Sequence, residues 1–405
     1  MKLTARYSLV LLLCAAFIGL IMVAAGSAAF AQGEGLARRI VVFDSGFTNG
    51  SEQAALVRAA AGQPLRGLPM VNGMSAMLSP GAEAALLRRA EVARIDVDAE
   101  VRALGQPATP PGQDKKNPPE PPEQSLPWGV DRIDAEYAWA TCTGAGVSVA
   151  VLDTGIDRDH ADLAANIAGG VNFISRPAWR PADPGRWDDD NGHGTHVAGI
   201  IAAVDNEIGV VGVAPGASLY GVKVLDRTGS GYISHVIAGL EWAVANGMDI
   251  VNMSLGLNED VQAFEEACDA AAAAGVLLVA AAGNDGGAVD YPAAYTSVTA
   301  VAATDSGDVR ASWSSYGPEV DIAAPGVAIE STWNDGGYEV ISGTSMATPH
   351  VVGTLALVLE SLATADLCLG ADDLPPTGDD DYTGCGLVDA GESATGIADY
   401  GDDLP

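Results

Sequence analysis

The sequence predicts an α/β fold, a mostly parallel sheet with helices on both faces, preceded by a smaller α+β domain. Three observations carry this. From Gln124 onward, short apolar or β-branched runs alternate with helical stretches. Strands read as near-continuous apolar runs when both faces of a sheet are covered, which is the pattern of parallel sheets. Residues 107–122 hold seven prolines, and a second alternating set of elements occupies residues 35–104 ahead of them.

Residues 1–31 read as an export signal: Lys2 and Arg6, an apolar run from Leu9 to Ala25, then Ala29-Phe30-Ala31, with cleavage before Gln32. The run could just span a bilayer, so an uncleaved anchor is the alternative; the A-x-A site favours cleavage. The protein is expected to be secreted, extracellular or periplasmic, with no membrane contact once the signal is gone. Over 35–104 the order is β-α-β-β-α-β. Arg39–Asp44 and Ala93–Val97 are strands, Glu52–Ala61 and Pro80–Ala90 helices, and Met70–Leu78 one bent strand or a pair. That order predicts a small α+β, ferredoxin-like domain. Residues 105–122 are a stiff, exposed, Pro-rich linker and a natural place for proteolysis. Beyond it, strands are predicted at Val147–Leu152, Ser218–Val224, Ile250–Met253, Val276–Ala281 and Val298–Ala302. Helices are predicted at His196–Val204, Tyr232–Asn246 and Val261–Ala274. Ser345–Leu362 is one long apolar helix expected at the centre. The Gly/Pro-rich acidic end, from Ala371, is expected to be partly disordered.

Charge is spread unevenly. Residues 32–122 carry ten acidic and ten basic side chains, while residues 123–405 carry 43 acidic against 8 basic. Such a surface excludes nucleic acid and anionic lipid as partners. Export leaves four cysteines, Cys142, Cys268, Cys368 and Cys385, with three possible pairings. Cys368 and Cys385 bracket a short polar loop and are the favoured pair. Cys142–Cys268 then follows by elimination, free buried thiols being the alternative.

Three segments carry chemistry. Ser148–Asp157 (SVAVLDTGID) is a buried strand ending in an acid. Asn191–Gly199 (NGHGTHVAG) is a Gly-flanked His opening a helix, and Gly343–Val351 (GTSMATPHV) sets a Ser at a helix start. A Ser hydroxyl needs a base to remove its proton, and a His base needs an acid to fix its tautomer. A helix N-terminus places N–H groups and dipole where an oxyanion develops. In this order, Asp then His then Ser, the segments resemble the subtilisin family of serine proteases.

The resemblance covers about residues 124–395 and implies a serine endopeptidase working through an acyl-enzyme. Asp153 would orient His193, the general base and acid, and Ser345 would be the nucleophile. In Val279–Gly286 (VAAAGNDG), Asn284 takes the family's oxyanion-donor role. Gly229-Ser230-Gly231 and Ser254-Leu255-Gly256 are similar to the two edges that pair with an extended peptide. The implied organisation is a signal peptide (1–31), an inhibitory pro-domain (35–104), a linker (105–122), a catalytic domain (123–395) and an acidic tail (396–405). The pro-domain would act as intramolecular inhibitor of a monomeric, self-processing enzyme on polypeptide substrates. The family's strong calcium site maps onto side chains of Gln124, Asp162 and Asn206 and carbonyls of Val204, Ile208 and Val210, the hard oxygens calcium prefers. Carbonyls of Ala293, Tyr295 and Val298 offer a weaker cation site. Asp188-Asp189-Asp190 reads as solvated acids rather than an ion site, and zinc is excluded by the lack of H-E-x-x-H and C-x-x-C spacing. Asp290, before Tyr291-Pro292, departs from the family's small or neutral residue at the first specificity pocket. A carboxylate there would favour Lys or Arg, which would also suit cleavage after Lys115 or Lys116, against which Pro118 speaks. An inactive binding module is the rival reading, and the intact set of four residues argues against it.

Overall fold

The computed structural model describes residues 35–105, 120–175, 182–362 and 366–397. The expected signal, most of the linker with Lys115 and Lys116, and most of the acidic tail lie outside the described residues.

The N-terminal region forms β1 (Ala37–Phe43), α1 (Gly50–Ala59), β2 (Gln63–Leu68), β3 (Gly73–Leu78), α2 (Pro80–Leu86), β4 (Val92–Val97) and β5 (Glu100–Ala103). Its antiparallel sheet has the order β2-β3-β1-β4. The Asn49 side chain caps α1, and Ser79, followed by Pro80, caps α2. Where a bent strand or strand pair was expected at Met70–Leu78, the chain turns instead. A 3₁₀ turn over Pro69–Val71 ends on Asn72 in the left-handed region, at φ 45°. The partner strand β2 comes earlier, and being largely exposed it shows no apolar alternation.

The larger region contains α3 (Trp128–Arg132), α4 (Ala135–Ala138), β6 (Ser148–Asp153), β7 (Ile167–Asn172), α5 (His193–Ala202), β8 (Ser218–Lys223), β9 (Ser230–Tyr232) and α6 (Ile233–Ala245). It continues with β10 (Ile250–Met253), β11 (Leu255–Gly256), α7 (Gln262–Ala273), β12 (Leu277–Ala281), β13 (Thr299–Thr304), β14 (Ile322–Pro325), β15 (Ile329–Thr332), β16 (Tyr338–Ile341), α8 (Thr344–Ser361) and α9 (Ala390–Thr395). Seven strands pair in the order β14-β13-β12-β10-β6-β8-β7, every pairing parallel. Both faces are buried. Along β6, Val149 and Val151 join the cluster under α5 and α8, while Ala150 and Leu152 join the cluster under α6 and α7.

That division decides the cysteines. Cys368 and Cys385 are disulfide-bonded, but Cys142 and Cys268 are free and buried, which corrects the pairing by elimination. They belong to clusters on opposite faces of the sheet, so no bridge can span them. The C-terminal segment also differs from expectation. Residues 366–397 fold onto the sheet edge, Leu387 pairing with Ala323 of β14 and with Asp372. Among the described residues, no helix is long and apolar enough to cross a membrane.

Candidate active site

The site lies where the parallel strands end. β6 delivers Asp153, wholly buried, and the Thr154 N–H donates to its Oδ1 at 2.6 Å. His193 opens α5, with its Nδ1 at 2.9 and 2.8 Å from the two Asp153 oxygens. Its Nε2 is buried and has no hydrogen-bond partner among the described residues. Gly192, at φ 120° against the Trp333 ring, is a position no side chain could occupy.

The expectation that Asp188–Asp190 are solvated acids fails for Asp189. It is fully buried and accepts from the N–H groups of Asn191, Gly192 and Thr195 and from the Thr195 hydroxyl. It therefore braces the turn that presents His193, though burial raises its pKa. Asp190 meets the buried Lys223 ammonium at 2.7 Å, which also donates to the Thr154 carbonyl.

Ser345 sits in the first turn of α8. Four residues on, Pro349 has no N–H to give, so the Ser345 carbonyl is free of the helix ladder. The Ser254 hydroxyl donates to that carbonyl at 2.9 Å, and the Ser345 hydroxyl donates to the Ser254 carbonyl at 2.9 Å. Asn284 is oriented by Thr344, whose N–H and hydroxyl both donate to its Oδ1 at 2.9 Å. Its amide nitrogen is thereby aimed outward, at the carbonyl of Leu104.

The cleft holds the end of the N-terminal region. β5 lies antiparallel between β9 and β11 in a three-stranded sheet. Val101 pairs with Gly231 and Arg102 with Ser230; Ala103 N–H donates to the Gly229 carbonyl, and Leu104 N–H to the Ser254 carbonyl at 3.2 Å. Leu255 and Gly256 face Ala103 and Arg102. The Leu104 carbonyl then lies 3.4 Å from the Ser345 N–H, beside the Asn284 donor. A methyl group on Gly105 would stand 2.9 Å from His193 Nε2, and one on Gly343 would stand 2.4 Å from the Leu104 oxygen. The Leu104–Gly105 peptide thus lies across Ser345 and His193. Asp290, 6% exposed, lies beside Gly256 and Gly283.

The six residues expected around calcium also converge. Gln124 Oε1 accepts from Asn206 N–H at 2.7 Å, Asn206 Nδ2 donates to Asp162 Oδ1 at 2.8 Å, and Asp162 Oδ2 accepts from Val210 N–H at 3.0 Å. Val204 N–H donates to the Asp162 carbonyl, and Ile208 N–H to Asn206 Oδ1. Asp162 is fully buried, and burial raises its pKa against the hydrogen bonds from Val210, Asn206 and Tyr338. Among the described residues no cluster of three or more His, Cys, Asp or Glu is placed to hold a metal, so carbonyls and amides would have to supply most of a shell here. At the weaker site, the Tyr295 carbonyl accepts from Val298 N–H.

Comparison with known proteins bears on this arrangement. The Subtilase family model matches residues 144–368. Subtilisin NAT of Bacillus subtilis subsp. natto is 46% identical over 281 residues, 67% of this chain and 72% of the relative. The chain belongs to the subtilase family. Subtilisin Savinase of Lederbergia lenta is 52% identical over 237 residues, covering 58% of this chain and 84% of the relative. A thermostable alkaline protease of Halalkalibacterium halodurans is 49% identical over 274 residues, 67% and 70% of the two chains. This subtilase is a serine endopeptidase, a peptide-bond hydrolase on the subtilisin α/β fold. Several groups around its site escaped the sequence reading, Thr344, Lys223 and the Leu104–Gly105 peptide, and the bracing role of Asp189 was read instead as a solvated acid. Thr344 adjoins the Ser within a quoted segment and Asp189 lies four residues before the His, so proximity to the motifs was the available signal.

Proposed function

We propose that this chain is an exported, self-maturing precursor in which Asp153, His193 and Ser345 form the catalytic triad, residues 35–104 are the inhibitory pro-region, and the first bond cut is Leu104–Gly105. The observation that carries the reading is that peptide's position, its carbonyl oxygen between Ser345 N–H and Asn284 and its following residue over His193. A turn about χ1 brings the Ser345 hydroxyl from the Ser254 carbonyl to His193 Nε2. The oxygen attacks the Leu104 carbonyl carbon as the proton passes to Nε2, and Asp153 holds the resulting imidazolium. The oxyanion is met by Ser345 N–H and Asn284. His193 returns the proton to the Gly105 nitrogen, the C–N bond breaks, and water then hydrolyses the Leu104 ester. β9 and β11 bind later substrates as they bind β5, by strand addition.

Calcium fits the Gln124–Asp162 cradle, whose donors are oxygens around a buried carboxylate that no Lys or Arg approaches among the described residues. Bound there, it would tie the start of the catalytic region to the loop 204–210. With the ion at about a thousandfold excess over its Kd, the fold gains about 4 kcal/mol. Chelation should lower Tm in the wild type and leave Asp162→Asn unmoved.

The decisive test incubates the purified precursor with calcium beside a Ser345→Ala version, each followed by intact mass. The expected products are a fragment ending at Leu104 and an enzyme beginning at Gly105, with the variant uncut. A first cut elsewhere, or equal cutting of the variant, sinks the reading.

A further inference from the structure

The cleft holds one carboxylate that the reaction above does not use. Asp290 is more than nine-tenths buried, and no hydrogen bond or ion pair reaches its side chain among the described residues. Its neighbour Asp285 is occupied, accepting from Gly287 N–H and the Ser315 hydroxyl. A buried carboxylate without a partner is costly and waits for a cation.

Its location says which one. A methyl group on Gly256 would stand 2.8 Å from Leu104 Cδ1 and 3.2 Å from Asp290 Oδ2; one on Gly283 would stand 2.9 Å from the same oxygen. The Leu104 side chain and the Asp290 carboxylate therefore share one pocket, floored by two glycines. Leu104 is the residue whose carbonyl faces Ser345, so this pocket receives the side chain on the acyl side of the cut bond. A Leu side chain stops at Cδ. A Lys runs two atoms further and an Arg three, which carries their charge to the carboxylate.

We infer that Asp290 makes this enzyme selective for Lys or Arg immediately before the cut bond, and that its own Leu104 is a deliberately mismatched occupant of that pocket. The inference rests on the endopeptidase reading of the same site. Burial, reinforced by Asp285, pushes the Asp290 carboxyl up to about 6 with Leu104 in place. The other groups placed beside it are uncharged: Gly256, Gly283, the Leu104 side chain and the Ser315 hydroxyl. The preference should therefore grow as pH rises through about 6.

The test uses matured enzyme and the 4-nitroanilides of Val-Arg-Ala-Xaa, with Xaa as Leu, Lys, Arg or Glu, from about pH 5 to about pH 8. Asp290→Asn is run in parallel. The readout is the ratio of kcat/KM for Lys to that for Leu, in which titration of His193 cancels. In the wild type the ratio should exceed one at the upper pH and fall on acidification. In the variant it should be at least about tenfold lower and flat with pH. A wild type that prefers Leu at every pH, or a variant with an unchanged ratio, overturns the inference. If the variant does not fold, competitive inhibition of the wild type by benzamidine serves instead. Inhibition that strengthens above about pH 6 supports the carboxylate, and none at the upper pH removes it. Fluorophosphonate labelling separates the two readings. A labelled enzyme that cleaves Leu without a Lys advantage loses only this inference, whereas an unlabelled one that cleaves nothing loses the endopeptidase assignment of the site as well.

Discussion

The two regions of the chain are built on different terms. The larger region buries apolar clusters on both faces of a seven-stranded sheet, whereas the N-terminal region, the proposed pro-region, closes around nine residues of its own, among them Val41, Phe43, Leu78 and Leu86. The catalytic region is also strongly acidic, while the pro-region is balanced and lends its charges to the contact. Asp98 accepts from the Ser234 N–H and hydroxyl at the start of α6, and Asp96 accepts from Ala263 N–H at the start of α7. Val261, the N-cap of α7, has no side chain able to do this. Arg94 pairs with Glu266, and Arg38 with Asp98. The difference teaches that the larger region is self-sufficient in burial, while the smaller one depends on its partner, through Ile40, Val42, Leu68, Val71 and Val101 in the shared cluster and through what it caps and pairs.

That contrast can be broken at graded points. Asn284→Ala removes the oxyanion donor and, with it, one hydrogen bond to the Leu104 carbonyl. It should slow kcat of the freed enzyme by about 100- to 1000-fold and lower Tm of the uncut chain only slightly, because β5 keeps its pairing with β9 and β11. Asp98→Ala acts on the contact and on Arg38 of β1, removing the buried carboxylate that Arg38 and α6 share. It should shorten the lag before activity appears after the cut by about tenfold or more, with kcat of the freed enzyme unchanged. An unchanged lag would mean the apolar surface, not the caps, holds the pro-region.

The third point is pH. His235, beside the contact, is pushed down to about 3 by burial and then by Arg38 and Arg66, against the hydrogen bond to Val224 and the charge of Asp226. Freed of the pro-region it should move back toward the ordinary value of about 6.5. A group held lower in the docked state supports docking above its free pKa and withdraws that support as pH falls through it. Asp98 and Glu241, raised by burial, act in the opposite sense. Release should thus quicken several-fold between about pH 7 and about pH 5, and His235→Gln should flatten the profile. The smallest effect belongs to Arg94→Ala, a half-exposed pair expected to change the lag by a few-fold at most and less in high salt.

The sequence made some of this legible and hid the rest for physical reasons. Ile250–Met253 was found residue for residue because it is buried throughout and bounded by polar residues. β7 was missed because two of its six residues are glycine, and β14 because its four residues end in Pro325. The residues expected at the catalytic centre and around calcium come together because their chemistry forces both type and spacing. The cysteine pairing failed because chain order says nothing about which face of a sheet a residue joins. The Leu104–Gly105 peptide was hidden because β5 pairs only with strands from the other region, leaving no local pattern to read.

Gln124 already rests against the loop at 204–210 while Leu104 and Gly105 still lie in the cleft. One chain occupies both places because a long proline-rich spacer separates them. With a short spacer the two occupancies would exclude each other, and an ion at that loop would have to wait for the cut. On the proposed reading, loading and cutting are independent events: the uncut chain would be free to take up its ion first, and the enzyme that emerges would need no further rearrangement of its start to become durable. Spacer length, rather than the chemistry at Ser345, would set the order of assembly.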